Sequence, residues 1–143
     1  TGKALCVIDL DTVMPGFSVC DFGDAIRFGG NTAAEDEQDV SKVHLDLNFY
    51  DIYTRGFVIG CGGYLEKPEI ELLAAGAKMM TLECGMRFLT DYILGDVYFK
   101  TAYPTHNLVR CRTQMQLAAD MERQYKKMQE IAERYCFTRE DNQ

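Results

Sequence analysis

The chain has 143 residues, of which 47% are hydrophobic and 26% charged, and it carries a net charge of −7. This length suffices for one domain with a real core, and the acidic balance disfavours nucleic acid and anionic membrane surfaces as partners. No apolar run reaches the length of a membrane span. The six cysteines (6, 20, 61, 84, 111 and 136) are scattered and form no C-x-x-C pair. They read as buried thiols of a reducing compartment, with the cytoplasm as the expected location.

An apolar run, Ala4-Leu5-Cys6-Val7-Ile8, ends in Asp9. Asp11 follows two residues later, and Pro15-Gly16 predict a turn. Residues 4–10 are expected to form a buried strand, paired in a hairpin with neighbouring chain. In an extended strand Asp9 and Asp11 point to the same side. Two hard oxygen donors there suit a magnesium ion that also holds phosphates. The plain alternative is an aspartate that caps the following turn, and spacing alone favours it. Asp21 is placed to cap a short helix through Arg27, ended by Gly29-Gly30. Thr32-Ala33-Ala34-Glu35 has the form of a capping box, with Asp36 and Glu37 in the first turn of the helix it would start.

From Asp46 the apolar period becomes helical, and a helix is expected from about 47 to 60, terminated by Gly60-Cys61-Gly62-Gly63. Lys67-Pro68-Glu69 starts a helix running to about Leu94, with Gly95 as the stop. Glycines 76 and 85 bend it or let another helix approach closely. From Met79 to Leu94 this helix is apolar almost all round, which predicts burial on every side. Glu83, Arg87 and Asp91 lie four apart on one face. In such a helix they imply a lined cavity or a buried network in which both acids pair the guanidinium. Residues 96–100 read as a short extended piece. The last helix runs from about Asn107 to Tyr135, with a methionine-rich stripe for core packing, and residues 138–143 are expected to be a loose tail.

Three stretches carry a family resemblance: V-I-D-L-D-T-V-M-P-G, C-D-F-G-D-A-I-R and L-L-A-A-G-A-K-M-M-T-L-E-C-G-M-R-F-L-T-D-Y, followed by G-D-V-Y-F-K. Together they resemble the C-terminal lobe of small-molecule kinases of the aminoglycoside phosphotransferase and choline kinase superfamily, closest to its N-acetylhexosamine 1-kinase branch. The resemblance implies a mostly α fold with a short N-terminal β strand or hairpin, the C-terminal lobe of the α+β protein-kinase-like fold, over residues 1–137. It implies an ATP-dependent sugar kinase with magnesium on Asp9, helped by Asp11, and with Asp21 of the D-F-G triplet supporting the site from behind. It places Arg87 and Tyr98 at the sugar, with Asp91 as orienter or acceptor and Glu83 beside them. The runner-up is a helical scaffold or interaction domain without chemistry of its own.

The resembled kinases also need a nucleotide-holding β lobe and an H-x-D-x-x-x-x-N catalytic loop. The nearest string here, His44-Leu45-Asp46-Leu47-Asn48, has the wrong spacing. The chain is therefore expected to be the C-terminal portion of a longer kinase, inactive alone, and to self-associate through apolar surface near residues 4–20 that the missing lobe would cover.

Overall fold

The computed structural model describes residues 2–3, 5–8, 10–11 and 13–136. Among the described residues five α-helices follow one another, α1 (Ser18–Gly29), α2 (Leu47–Gly60), α3 (Lys67–Glu71), α4 (Leu73–Leu94) and α5 (His106–Glu133), with a 3-10 turn at Val40–Lys42. The fold is mostly helical. Among the described residues none of the helices is long and apolar enough to cross a membrane.

Antiparallel packing of α4 on α5 forms the spine. Thr81 lies against Met121, Gly85 against Met115, and Asp91 against Asn107, so residue numbers rise on one helix as they fall on the other. α1 crosses α4 on another side, through glycine. A methyl group at Gly76 would meet the Val19 carbonyl oxygen at 2.5 Å and the Val19 Cβ at 2.9 Å, and one at Gly23 would meet the Gly76 carbonyl carbon at 2.7 Å. Two backbones in contact cannot yield to a side chain. Gly76→Ala should therefore destabilise the protein by about 1–3 kcal/mol, measured as a lower midpoint in urea at unchanged slope. An unchanged midpoint would mean that α1 does not rest on α4 here.

The core gathers Phe22 and Ile26 of α1, Tyr50 and Val58 of α2, Leu73 and Ala77 of α4, and Leu117, Met121 and Met128 of α5. Phe22 packs edge-on against Tyr50 and Phe57, with centroids 5.8 and 5.3 Å away, a favoured aromatic geometry. A second cluster, Cys84, Phe88 and Cys111, sits under the other half of α4.

Several expectations change. The strand predicted at residues 4–10 does not form among the described residues. Residues 5–8 are irregular and exposed, Leu5 to 88%. A strand needs a neighbour for its N–H and C=O groups, and among the described residues none pairs with residues 5–8. The β structure among the described residues is one isolated bridge between Asn31 and Leu45. Asp21 is not the cap of α1, because the helix begins at Ser18 with Phe17 in the cap position, which leaves Asp21 exposed in the first turn.

Residues 32–37 start no helix. The Thr32 hydroxyl donates to the Lys42 carbonyl (2.7 Å) and accepts from the His44 N–H (3.0 Å), so it is spent across the loop, not on a cap. Asp46 does what a cap does, accepting from the N–H groups of Asn48 and Phe49 at 2.8 and 3.2 Å. That role explains the stray His44-to-Asn48 string. The long helix expected from 67 to 94 is interrupted at Leu72 into α3 and α4. Of the six thiols, Cys84 and Cys111 are buried and Cys6 is exposed, so the expectation of general burial holds for two. The tail 138–143 lies outside the described residues.

Candidate functional site

The site grows from the C-terminus of α4. Gly95, with φ of 93°, ends the helix in the left-handed region, and Asp96 follows at φ 58°. Two successive left-handed residues turn the chain back over the helix it has just left. Asp96 tolerates this backbone because its carboxylate accepts from the Asn107 side-chain amide at 2.8 Å. The turn brings the N–H groups of Val97, Tyr98 and Phe99 onto the carboxylate of Asp91, at 3.0, 2.8 and 2.9 Å. Asn107, fully buried at the start of α5, adds a fourth donor to Asp91 at 2.9 Å.

Asp91 is 4% exposed. Burial alone would raise its carboxyl pKa, but donation from Phe99, Tyr98 and Val97 outweighs that and holds it below the usual value. The expectation that Asp91 pairs with Arg87 is corrected: its oxygens are committed to loop and helix, and it builds the site's wall.

That wall and α4 enclose a cleft of about 400 Å³ lined by Glu83, Met86, Arg87, Thr90, Asp91 and Leu94 from the helix, and by Val97, Tyr98 and Phe99 from the loop. The four side chains singled out as sugar-binding, Glu83, Arg87, Asp91 and Tyr98, thus meet in one place. Arg87 is not buried as expected. Its side chain is 50% exposed, because helices cover α4 on two sides and leave a face with Met79, Met86, Ile93 and Leu94 open.

The Arg87 guanidinium lies 5.6 Å from the centre of the Tyr98 ring and 5.5 Å from that of Phe99, within cation–π range. Its nitrogens stand 3.8 Å from Glu83 and 3.5 Å from the Tyr98 hydroxyl, both long contacts. Among the described residues Arg87 has no tight hydrogen-bond partner. The two aromatic rings therefore flank it while its donors stay available.

Sequence reasoning missed Asn107 and Arg110. Arg110 donates to the Lys100 carbonyl and the Asn107 side chain at 3.1 and 3.2 Å, and covers Phe88 at 5.5 Å. The only available signal was a polar residue at the first turn of a helix otherwise set for core packing.

The metal pair is placed differently. Asp9 lies outside the described residues. Asp11 is exposed in a turn. Among the described residues no three His, Cys, Asp or Glu side chains are grouped to hold a metal ion. Magnesium takes as few as one or two carboxylates when phosphates supply other ligands, so the chemistry of Asp9 and Asp11 fits that ion. Asp21 stands exposed on α1. The acidic run 35–37 is spent on local partners: Glu35 pairs with Arg27 at 2.8 Å and Glu37 with Lys42 at 3.6 Å, and Asp36 is hydrogen-bonded to the His106 ring at 3.2 Å.

No protein-family model matches the chain.

A second anchored carboxylate, Asp120 of α5, fixes the 31–46 loop. It accepts from Leu45 N–H at 2.8 Å, Gln124 at 2.7 Å and Arg123 at 2.9 Å. Burial again opposes ionisation and these bonds, led by that of Leu45, overcome it, so its pKa is lowered from 3.8. A carboxyl with a lowered folded pKa contributes stability above its unfolded value and loses it as pH falls through the folded one. Asp91 and Asp120 act in the same direction. Stability should be flat near neutrality and fall steeply once pH drops below about 3.8, read as the urea midpoint against pH. Asp120→Asn should flatten that acid limb, and an unaltered limb would exclude Asp120 as its source.

Proposed function

We propose that the cleft between α4 and the 96–99 loop binds a hydroxylated small molecule, and that the chain is the acceptor-sugar part of an ATP-dependent small-molecule kinase acting on N-acetylhexosamines. One observation carries this reading: Arg87 is held over Tyr98 and Phe99 with its donors uncommitted, and Glu83 stands beside it as acceptor. A planar donor fork next to a carboxylate matches the alternating donors and acceptors of adjacent sugar hydroxyls. The apolar floor of Met86, Val97 and Phe99 suits the C–H face of the ring. Phosphoryl transfer is mostly positioning and charge neutralisation. In this reading the cleft positions the acceptor, and Asp9 with Asp11 would hold the magnesium that neutralises the phosphates of ATP. Asp21 acts through the stability of α1.

Titration calorimetry of the chain with N-acetylglucosamine and N-acetylgalactosamine tests the reading. Saturable binding that disappears in Arg87→Leu is the expected result. Absence of binding to both sugars overturns it.

The second reading, a scaffold without chemistry, has one observation in its favour: Leu5, Val7, Ile8, Val13, Met14 and Phe17 are all exposed, as an interaction surface would be. It predicts no sugar binding, whereas concentration-dependent sedimentation is expected on either reading.

A further inference from the structure

The sugar cleft does not end at Glu83. A second cavity, of about 600 Å³, continues along the same side of α4, and Glu83 and Met86 line both. Its floor is apolar: Ala75, Met79, Leu82 and Met86 recur at steps of four and three, one stripe of the helix. Tyr125 of α5 closes one side, with the ammonium of Lys78 5.9 Å from its ring centre. Lys78 in turn bridges to Glu122 across the two helices. The apolar stretch from Ala75 to Met86 is about 16 Å long at the rise of an α-helix. The Glu83–Arg87 pair stands towards one end, and the Lys78–Glu122 bridge flanks the stretch beside Met79.

We propose that the two cavities form one site for an amphiphilic ligand, an amino sugar whose N-acyl chain is longer than acetyl, with the sugar at Arg87 and the chain along Met86, Leu82 and Met79. This inference rests on the sugar-binding reading above and adds the class of substituent. Two features of the groove argue for such a chain. The apolar stripe is continuous with the polar end through the two shared residues, which suits a single molecule with a polar head and an apolar tail. The Lys78–Glu122 bridge and Tyr125 line one side of the groove, so an apolar floor runs beneath a polar rim, which suits a chain lying lengthwise. Methionine side chains adapt to a flexible chain without a fixed shape.

The test compares N-acetylglucosamine with N-hexanoylglucosamine by titration calorimetry on the intact chain and on Met79→Glu. Met79 is 48% exposed, so the variant should fold, which circular dichroism checks. The wild type should bind the hexanoyl sugar at least about 10-fold more tightly, from added methylenes leaving water. Met79→Glu should erase that gain. Equal affinity for the two sugars would overturn the inference and leave the sugar reading standing. A gain that survives Met79→Glu would also overturn it, since the chain would then lie elsewhere. A missing gain together with dimerisation sensitive to Met79→Glu would assign the groove to a second copy of this chain. Failure of both sugars to bind would reject the sugar reading, and this inference with it.

Discussion

Replacing Asp91 by alanine should release the 96–99 loop and lower the thermal midpoint by about 5–10 °C. The reason is one of accounting for donors. Three backbone N–H groups and the Asn107 amide converge on this carboxylate, and the Ala variant offers them nothing. Buried donors without acceptors are costly, whereas each bond alone contributes modestly. Asp91→Asn should be nearly as damaging. Its amide retains one oxygen and places an NH₂ group against N–H donors. Amide hydrogen exchange reads the effect directly: Val97, Tyr98 and Phe99 should lose their protection. Unchanged protection of those three amides would show that the loop is held by something else.

Arg87→Leu should do the opposite, sparing the fold and removing the ligand. The side chain is half-exposed and its ion pair with Glu83 spans 3.8 Å. Such a pair adds little to stability, so the thermal midpoint should barely move. A charge-assisted bond to a ligand oxygen contributes far more, and N-acetylhexosamine affinity should fall by about 10–100-fold. Arg87→Lys should recover only part of it, because an ammonium lacks the planar fork of donors. If Arg87→Leu bound sugar normally and merely melted earlier, Arg87 would be structural. A midpoint loss without an affinity loss would therefore reverse the assignment of the two residues.

The contrast between Asp91 and Arg87 shows what the sequence could and could not reveal. Helix α2 was legible to its ends, because its period starts at Asp46 and stops at a run of glycines. The grouping of Glu83, Arg87, Asp91 and Tyr98 was legible from helical spacing and the resemblance. The division of labour among them was not. Asp91 is bound by backbone N–H groups six to eight residues ahead, and every residue there other than proline offers one, so side-chain identity carries no sign of it. Arg87 was expected to be buried because its helix is apolar all round, yet α4 is covered by α1 and α5 on two sides only. Residues 32–35 spell a capping box, but Thr32 is engaged by residues 42 and 44, and local pattern cannot weigh a partner ten residues away. Residues 5–8 form no strand for a related reason: apolarity describes a strand's buried face but does not supply the neighbour to which it must bond.

The in-register pairing of α4 with α5 also sets the order in which the molecule can assemble. Both helices and the loop between them occupy one uninterrupted stretch, residues 73–133. The cleft at Arg87 and the apolar groove are lined from that stretch alone. Closing an eleven-residue connection costs little entropy, and contacts between sequence neighbours form fast. Docking α1 onto Gly76 requires the closure of a loop of roughly fifty residues and should come later. In pulse-labelled refolding the amides of α4, α5 and residues 97–99 should therefore gain protection ahead of those of α1, and the binding cleft should exist before the domain around it is complete.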